Sequence, residues 1–134
     1  MFAKKSRILV VDDMPTMRKL LIRACKALEF TDFTEATNGR DAWEKLTGAN
    51  PKIDLIISDW GMPECSGLDF LKRIRSDSSY RHIPFLMVAA EAEKAQIADA
   101  IKSGASNYVV KPFTSEVLNE KLQAIHKNMD KKAA

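Results

Sequence analysis

Short apolar runs alternate five times with stretches in which apolar residues recur every three or four positions. The short runs predict five strands: Arg7–Val11, Phe33–Thr37, Ile53–Ser58, Phe85–Ala89 and Asn107–Val110. The periodic stretches between and after them predict five helices. In the first, Met17, Leu20, Leu21, Ala24, Cys25 and Leu28 form the apolar stripe. Pro15 stands near its start, where a missing N–H costs little. A second helix, Gly39 to Leu46, opens at Asn38, whose side chain suits a cap. The third, Gly67 to Ser76, turns Leu68, Leu71 and Ile74 inward. The fourth, Glu93 to Ser103, stops at Gly104. The fifth, Ser115 to Asn128, sets Val117, Leu118, Leu122 and Ile125 on one face.

Strand and helix in strict alternation predict an α/β fold, a parallel sheet with helices packed on both faces. Runs such as ILVV, LIIS and FLMV are apolar at successive positions, as strands covered on both sides require. The 134 residues, 46% hydrophobic and 29% charged, fit one domain spanning residues 1–134. No output domain is expected after the fifth helix. No stretch approaches the about 20 apolar residues of a membrane span. The start, MFAKKSR, carries no apolar signal segment, so a cytoplasmic setting is expected. Two cysteines, Cys25 and Cys65, make neither a disulfide framework nor a zinc site. The net charge of +3 is scattered. Lys127, Lys131 and Lys132 read as a solvated helix end, with no aromatic or groove-reading motif to suggest nucleic acid. A monomer is expected.

The candidate chemistry lies where the strands end. Asp12 and Asp13 close the first strand, Asp59 follows the third, and Lys111 follows the fifth. In open parallel sheets, ligands bind beyond the carboxyl ends of the strands, where strand order reverses. A single Asp in such a place is more often a cap or a solvated loop residue. Charged residues at the same end of three parallel strands are a different matter. Crowded carboxylates need a counter-charge. Mg²⁺ supplies one, since it prefers oxygen ligands and is commonly held by one or two carboxylates. The backbone carbonyl of Gly61 offers another oxygen. With the metal and Lys111 neutralising a phosphoryl group, Asp59 becomes a candidate nucleophile. The fourth strand, by contrast, ends in Ala89 and Ala90.

The segments VVDD, SDWGMP and YVVKPF, in this order and spacing, resemble the receiver domain of two-component response regulators. The similarity covers nearly the whole chain. DDMPTMRKL, LMVAAEAEK and GASNYVVKPFT make it most like the single-domain chemotaxis members. The resemblance implies a (βα)5 flavodoxin-like three-layer sandwich with strand order 2-1-3-4-5. It implies a phosphoacceptor that takes its phosphoryl from a histidine kinase of the chemotaxis type onto Asp59, with self-catalysed transfer and autodephosphorylation rather than conventional turnover. It assigns Mg²⁺ to Asp12, Asp13, Asp59 and the Gly61 carbonyl, and the phosphoryl contact to Lys111. Tyr108 matches the family's rotating aromatic. Gly61 and Glu91 lie where the family tunes dephosphorylation. Lys94, Ile97, Ile101, Tyr108, Val110 and Lys121 match a partner surface for a flagellar motor switch protein. A phosphatase is a further partner in keeping with the resemblance.

Two positions depart from the family pattern. Ala89 stands where members usually carry the switch Thr or Ser, whose hydroxyl bonds a phosphoryl oxygen. Gly61 stands where close members carry a polar side chain. The nucleophile, metal ligands and lysine remain. The alternative reading is a phosphorylation-insensitive receiver-like interaction module, because Ala89 has no hydroxyl to pull. A phosphatase-like enzyme lacks an acid–base pair, since His82 and His126 lie away from the strand ends. A flavin module would need a phosphate-cradling loop where this chain has VVDDMPT.

Overall fold

The computed structural model describes residues 2–49, 52–62, 65–90 and 95–133, with side chains through residue 129. Its elements run β1 (Arg7–Val11), α1 (Pro15–Ala27), β2 (Asp32–Ala36), α2 (Gly39–Thr47), β3 (Leu55–Asp59), α3 (Gly67–Arg75), β4 (Phe85–Ala89), α4 (Ile97–Lys102), β5 (Asn107–Val110) and α5 (Ser115–Ala133). All strand pairs are parallel, in the order β2-β1-β3-β4-β5. This is the expected flavodoxin-like order. The reversal falls between β1 and β3, where Val11 pairs with Ser58 and the two chains leave the sheet side by side.

Each face of the sheet has its own core. Ile8, Val10, Ile57, Leu86, Val88 and Val109 face α1 and α5, whose Leu21, Cys25, Leu118, Leu122 and Ile125 cover them. Leu9, Val11, Ile56, Phe85 and Met87 face the other side, under Ala42, Phe70, Leu71, Ile74 and Ala100. β1, β3 and β4 are thus buried on both faces, which is why their sequences do not alternate. Two expected core residues lie outside it. Leu20 and Val117 are exposed at 45% and 37%, because Leu21 and Leu118 beside them already fill the inward positions.

Local hydrogen bonds shift some element ends. β2 begins at Asp32, not Phe33, and stops before Thr37. The Arg7 guanidinium pairs with Asp32 at 3.1 Å, and the Thr37 N–H donates to Asp41 at 3.0 Å, drawing Thr37 into the α2 turn. β3 begins at Leu55, since the Asp54 carboxylate accepts from the Arg7 N–H, and it extends through Asp59. Asn38 caps α2 by accepting from the Asp41 N–H at 2.8 Å. α4 is shorter than expected at its start, with Ala95 and Gln96 in a tight turn ahead of Ile97. Gly104 follows it at φ +109°, a conformation that favours glycine. Among the described residues no helix is long and apolar enough to cross a membrane.

Candidate functional site

Asp12, Asp13 and Asp59 meet beyond the carboxyl ends of β1 and β3, with one oxygen from each lying within 4.8 Å of the others. Asp12 is fully buried, Asp59 nearly so, and Asp13 is exposed. The first two are placed by opposite devices. Asp59 is the last ladder residue of β3, paired with Val88, so the sheet itself aims it. Asp12 follows β1, and its N–H donates to the Ala36 carbonyl while the Arg18 guanidinium grips its own carbonyl at 2.8 Å. Its Oδ1 accepts from the Met14 N–H at 2.9 Å. Met14, not Asp13, is the N-cap of α1, and no side chain caps that helix.

Lys111 leaves β5 toward the same point. Its Nζ donates to Asp59 Oδ1 at 3.0 Å and stands 3.6 Å from Asp12 Oδ2. The Lys111–Pro112 peptide is cis. Burial disfavours the Lys111 charge, but the hydrogen bond and charge of Asp59, with Asp12 behind it, outweigh burial and hold its pKa above the ordinary lysine value. Burial pushes the Asp12 carboxyl above the usual carboxylate range, Asp13 adds to this, and the Met14 N–H and Lys111 pull the other way.

Asp12 Oδ2 is buried and has no hydrogen-bond partner. A buried carboxylate oxygen in that state is costly, and it sits among three carboxylates balanced by one ammonium. A hard cation with oxygen preference fits both the orphaned atom and the all-oxygen donor set, so the residues present suit Mg²⁺.

The loop after β3 holds Asp59 in place. The Trp60 N–H donates to the Val88 carbonyl, and the Gly67 N–H donates to the Trp60 carbonyl at 2.8 Å. A Cβ on Gly67 would lie 2.0 Å from the Asp59 carbonyl oxygen, so only glycine allows α3 to start this close. Gly61 is exposed between them. In the sequence Gly67 stands out only as a helix start, and Arg18 does not stand out at all. The glycine between a helix cap and an apolar stripe was the available signal for the first. Nothing in the apolar pattern marks Arg18, which reaches from the first turn of α1 to the Asp12 carbonyl six residues back.

Ala89 ends β4 at 1% exposure, paired with Val110, and its carbonyl accepts from the Lys111 N–H at 2.8 Å. Tyr108, half-buried, pairs with Met87 two residues earlier, on the same face. Ile97, Val110 and Lys121 are also half-buried, and Ile101 is 44% exposed while its neighbour Ala100 takes the core position. Glu91 and Lys94 lie outside the described residues.

The description "Response regulator receiver domain" matches residues 8–123 of this chain. The chain belongs to the response regulator receiver domain family. Among relatives of this receiver domain, the chemotaxis protein CheY1 of Helicobacter pylori is 46% identical over 119 residues, covering 89% of this chain and 95% of the relative. The chemotaxis protein CheY of Pseudomonas aeruginosa is 41% identical over 124 residues, covering 92% and 98%. Among solved structures, chemotaxis response regulator CheY4 of Vibrio cholerae superposes with a TM-score of 0.79 at 31% identity, covering 90% of the receiver domain and 98% of that chain.

Proposed function

We propose that this receiver domain accepts a phosphoryl group on Asp59 and passes the signal on by protein contact in chemotaxis. The donor is a histidine kinase, the setting is cytoplasmic, and the target is the flagellar motor switch. The observation that carries the reading is Lys111 Nζ held 3.0 Å from Asp59 Oδ1 beside two further carboxylates, in a member of the receiver family.

An Asp59 carboxylate oxygen attacks the phosphorus of a phosphohistidine. The P–N bond breaks, the imidazole leaves with the electron pair and is protonated by solvent, and Asp59 carries an acyl phosphate. Lys111 moves from carboxylate to phosphoryl oxygen, keeping its charge where negative charge develops. Asp12, Asp13, Asp59 and the Gly61 carbonyl would hold Mg²⁺, whose charge supplies electrostatic stabilisation for phosphoryl transfer. Asp59, at the end of a fully buried strand, is presented to the donor with little freedom to turn.

A second reading has its own support. Ala89 is buried and carries no hydroxyl, which favours a receiver-like interaction module whose binding is insensitive to phosphorylation. One experiment separates them. The protein is treated with beryllofluoride and Mg²⁺, and Trp60 fluorescence is followed in a Trp43→Phe background together with affinity for a motor-switch peptide. The switch reading expects both to change. A Trp60 response with unchanged peptide affinity would establish the non-switching module.

A further inference from the structure

The Tyr108 ring, on the same sheet face as Ala89, is gripped from the β5 edge by a residue of α5. The Lys121 ammonium lies over its ring, 4.4 Å from the centroid. Lys121 belongs to α5, whose apolar residues pack on the other face of the sheet, so its side chain reaches round the β5 edge to arrive there. Asn107 ties the two together. Its Oδ1 accepts from the Tyr108 N–H at 2.9 Å, and its Nδ2 approaches the Lys121 carbonyl at 3.4 Å. One amide side chain therefore links the backbone that carries the ring to the helical turn that carries the cation.

We propose that Asn107 and Lys121 form a latch that fixes the position of the Tyr108 ring. The inference rests on and deepens the switch reading above, taking Tyr108, which matches the family's rotating aromatic, as the moving part. On the β4 side, Ala89 offers the ring no polar group that could hold or release it. On the α5 side, an ammonium faces the negative ring surface, an attraction that is directional and is lost when the ring turns away. The Asn107 bridge limits the twist of an edge strand that has a neighbour on one side only. Control that elsewhere in the family comes from a β4 hydroxyl falls here to α5. Lys121 is a positioning residue in this scheme, acting on Tyr108 alone.

The test reads the ring directly. Protein labelled with 3-fluorotyrosine in a Tyr80→Phe background reports Tyr108 by fluorine NMR. Without any phosphoryl analogue, Lys121→Met shifts or splits the Tyr108 resonance, with a roughly two- to fivefold change in the ratio of ring positions. Lys121→Arg, which keeps a cation over the ring, restores the wild-type resonance. Asn107→Ala moves the resonance in the same direction by less. A Lys121→Met spectrum that superimposes on wild type overturns the latch. These spectra decide the matter whether or not Asp59 is the acceptor. A wild-type Tyr108 resonance indifferent to beryllofluoride and Mg²⁺ counts against the switch reading instead.

Discussion

Lys111 and Asp59, 52 residues apart in the chain, meet at 3.0 Å through a single charge-assisted hydrogen bond. That bond holds an ammonium beside the proposed nucleophile before any phosphoryl arrives. Replacing Lys111 with Met leaves two buried carboxylates without their cation. Urea unfolding of the variant in metal-free buffer is expected to show a loss of about 1–3 kcal/mol.

Asp59→Asn removes the nucleophilic oxygen and keeps the shape. Acetyl phosphate and Mg²⁺ should add one phosphoryl group to the wild type, seen as a mass increment, and none to the variant. An increment retained at full yield would move the acceptor elsewhere.

Metal binding should stabilise the fold by mass action. At ten times its dissociation constant, Mg²⁺ raises the unfolding free energy by about 1.4 kcal/mol. Asp12→Asn deletes the orphaned carboxylate oxygen and should abolish this increment, as urea midpoints with and without Mg²⁺ would show.

Gly67→Ala forces a methyl group onto the Asp59 carbonyl, 2.0 Å away in the present geometry. The backbone of both elements must give, at a cost of roughly 1–3 kcal/mol. Phosphoryl uptake should fall with it, since the displaced strand end is the one that aims Asp59. A variant with wild-type stability and uptake would show that the loop yields freely.

The Cys25 thiol is buried among α1 and α5, and burial pushes its pKa from 9.0 up to about 12. Its folded value lies above its unfolded one, so the stability it contributes is complete below pH 9.0 and declines as pH rises toward about 12. Cys65 is half-buried, and burial and Asp69 raise its pKa too. A thiol reagent at neutral pH should therefore modify Cys65 slowly and Cys25 only after unfolding. Two equivalents consumed by the native protein would contradict this.

The fold was legible because β1, β3 and β4 are apolar on both faces, which marks each as a covered strand of a parallel sheet. β1, β4 and β5 lie where the apolar pattern put them. β2 and β3 slid by a residue or two because carboxylates at Asp32, Asp41 and Asp54 settle the ends; Asp41 acts within its own turn, but Asp32 and Asp54 depend on Arg7, distant in the chain. The candidate site was legible at its charged residues, since a strand end followed by Asp or Lys is a local signal. Arg18, Gly67 and the Lys121–Tyr108 contact were not. Arg18 and Gly67 act on backbone carbonyls a few residues back, which the apolar pattern does not mark, and helical spacing cannot say that Lys121 reaches round a sheet edge.

The strand order has a consequence for when the chemistry becomes available. Lys111 is carried by β5, the last strand to be synthesised, and β5 joins the sheet only through β4. A chain that lacks β5 and the residues after it has Asp12, Asp13 and Asp59 but no Lys111 ammonium to set against them. Phosphoacceptance should accordingly be closed to nascent or C-terminally truncated chains, so that the capacity to carry the signal doubles as a certificate that the domain has finished folding.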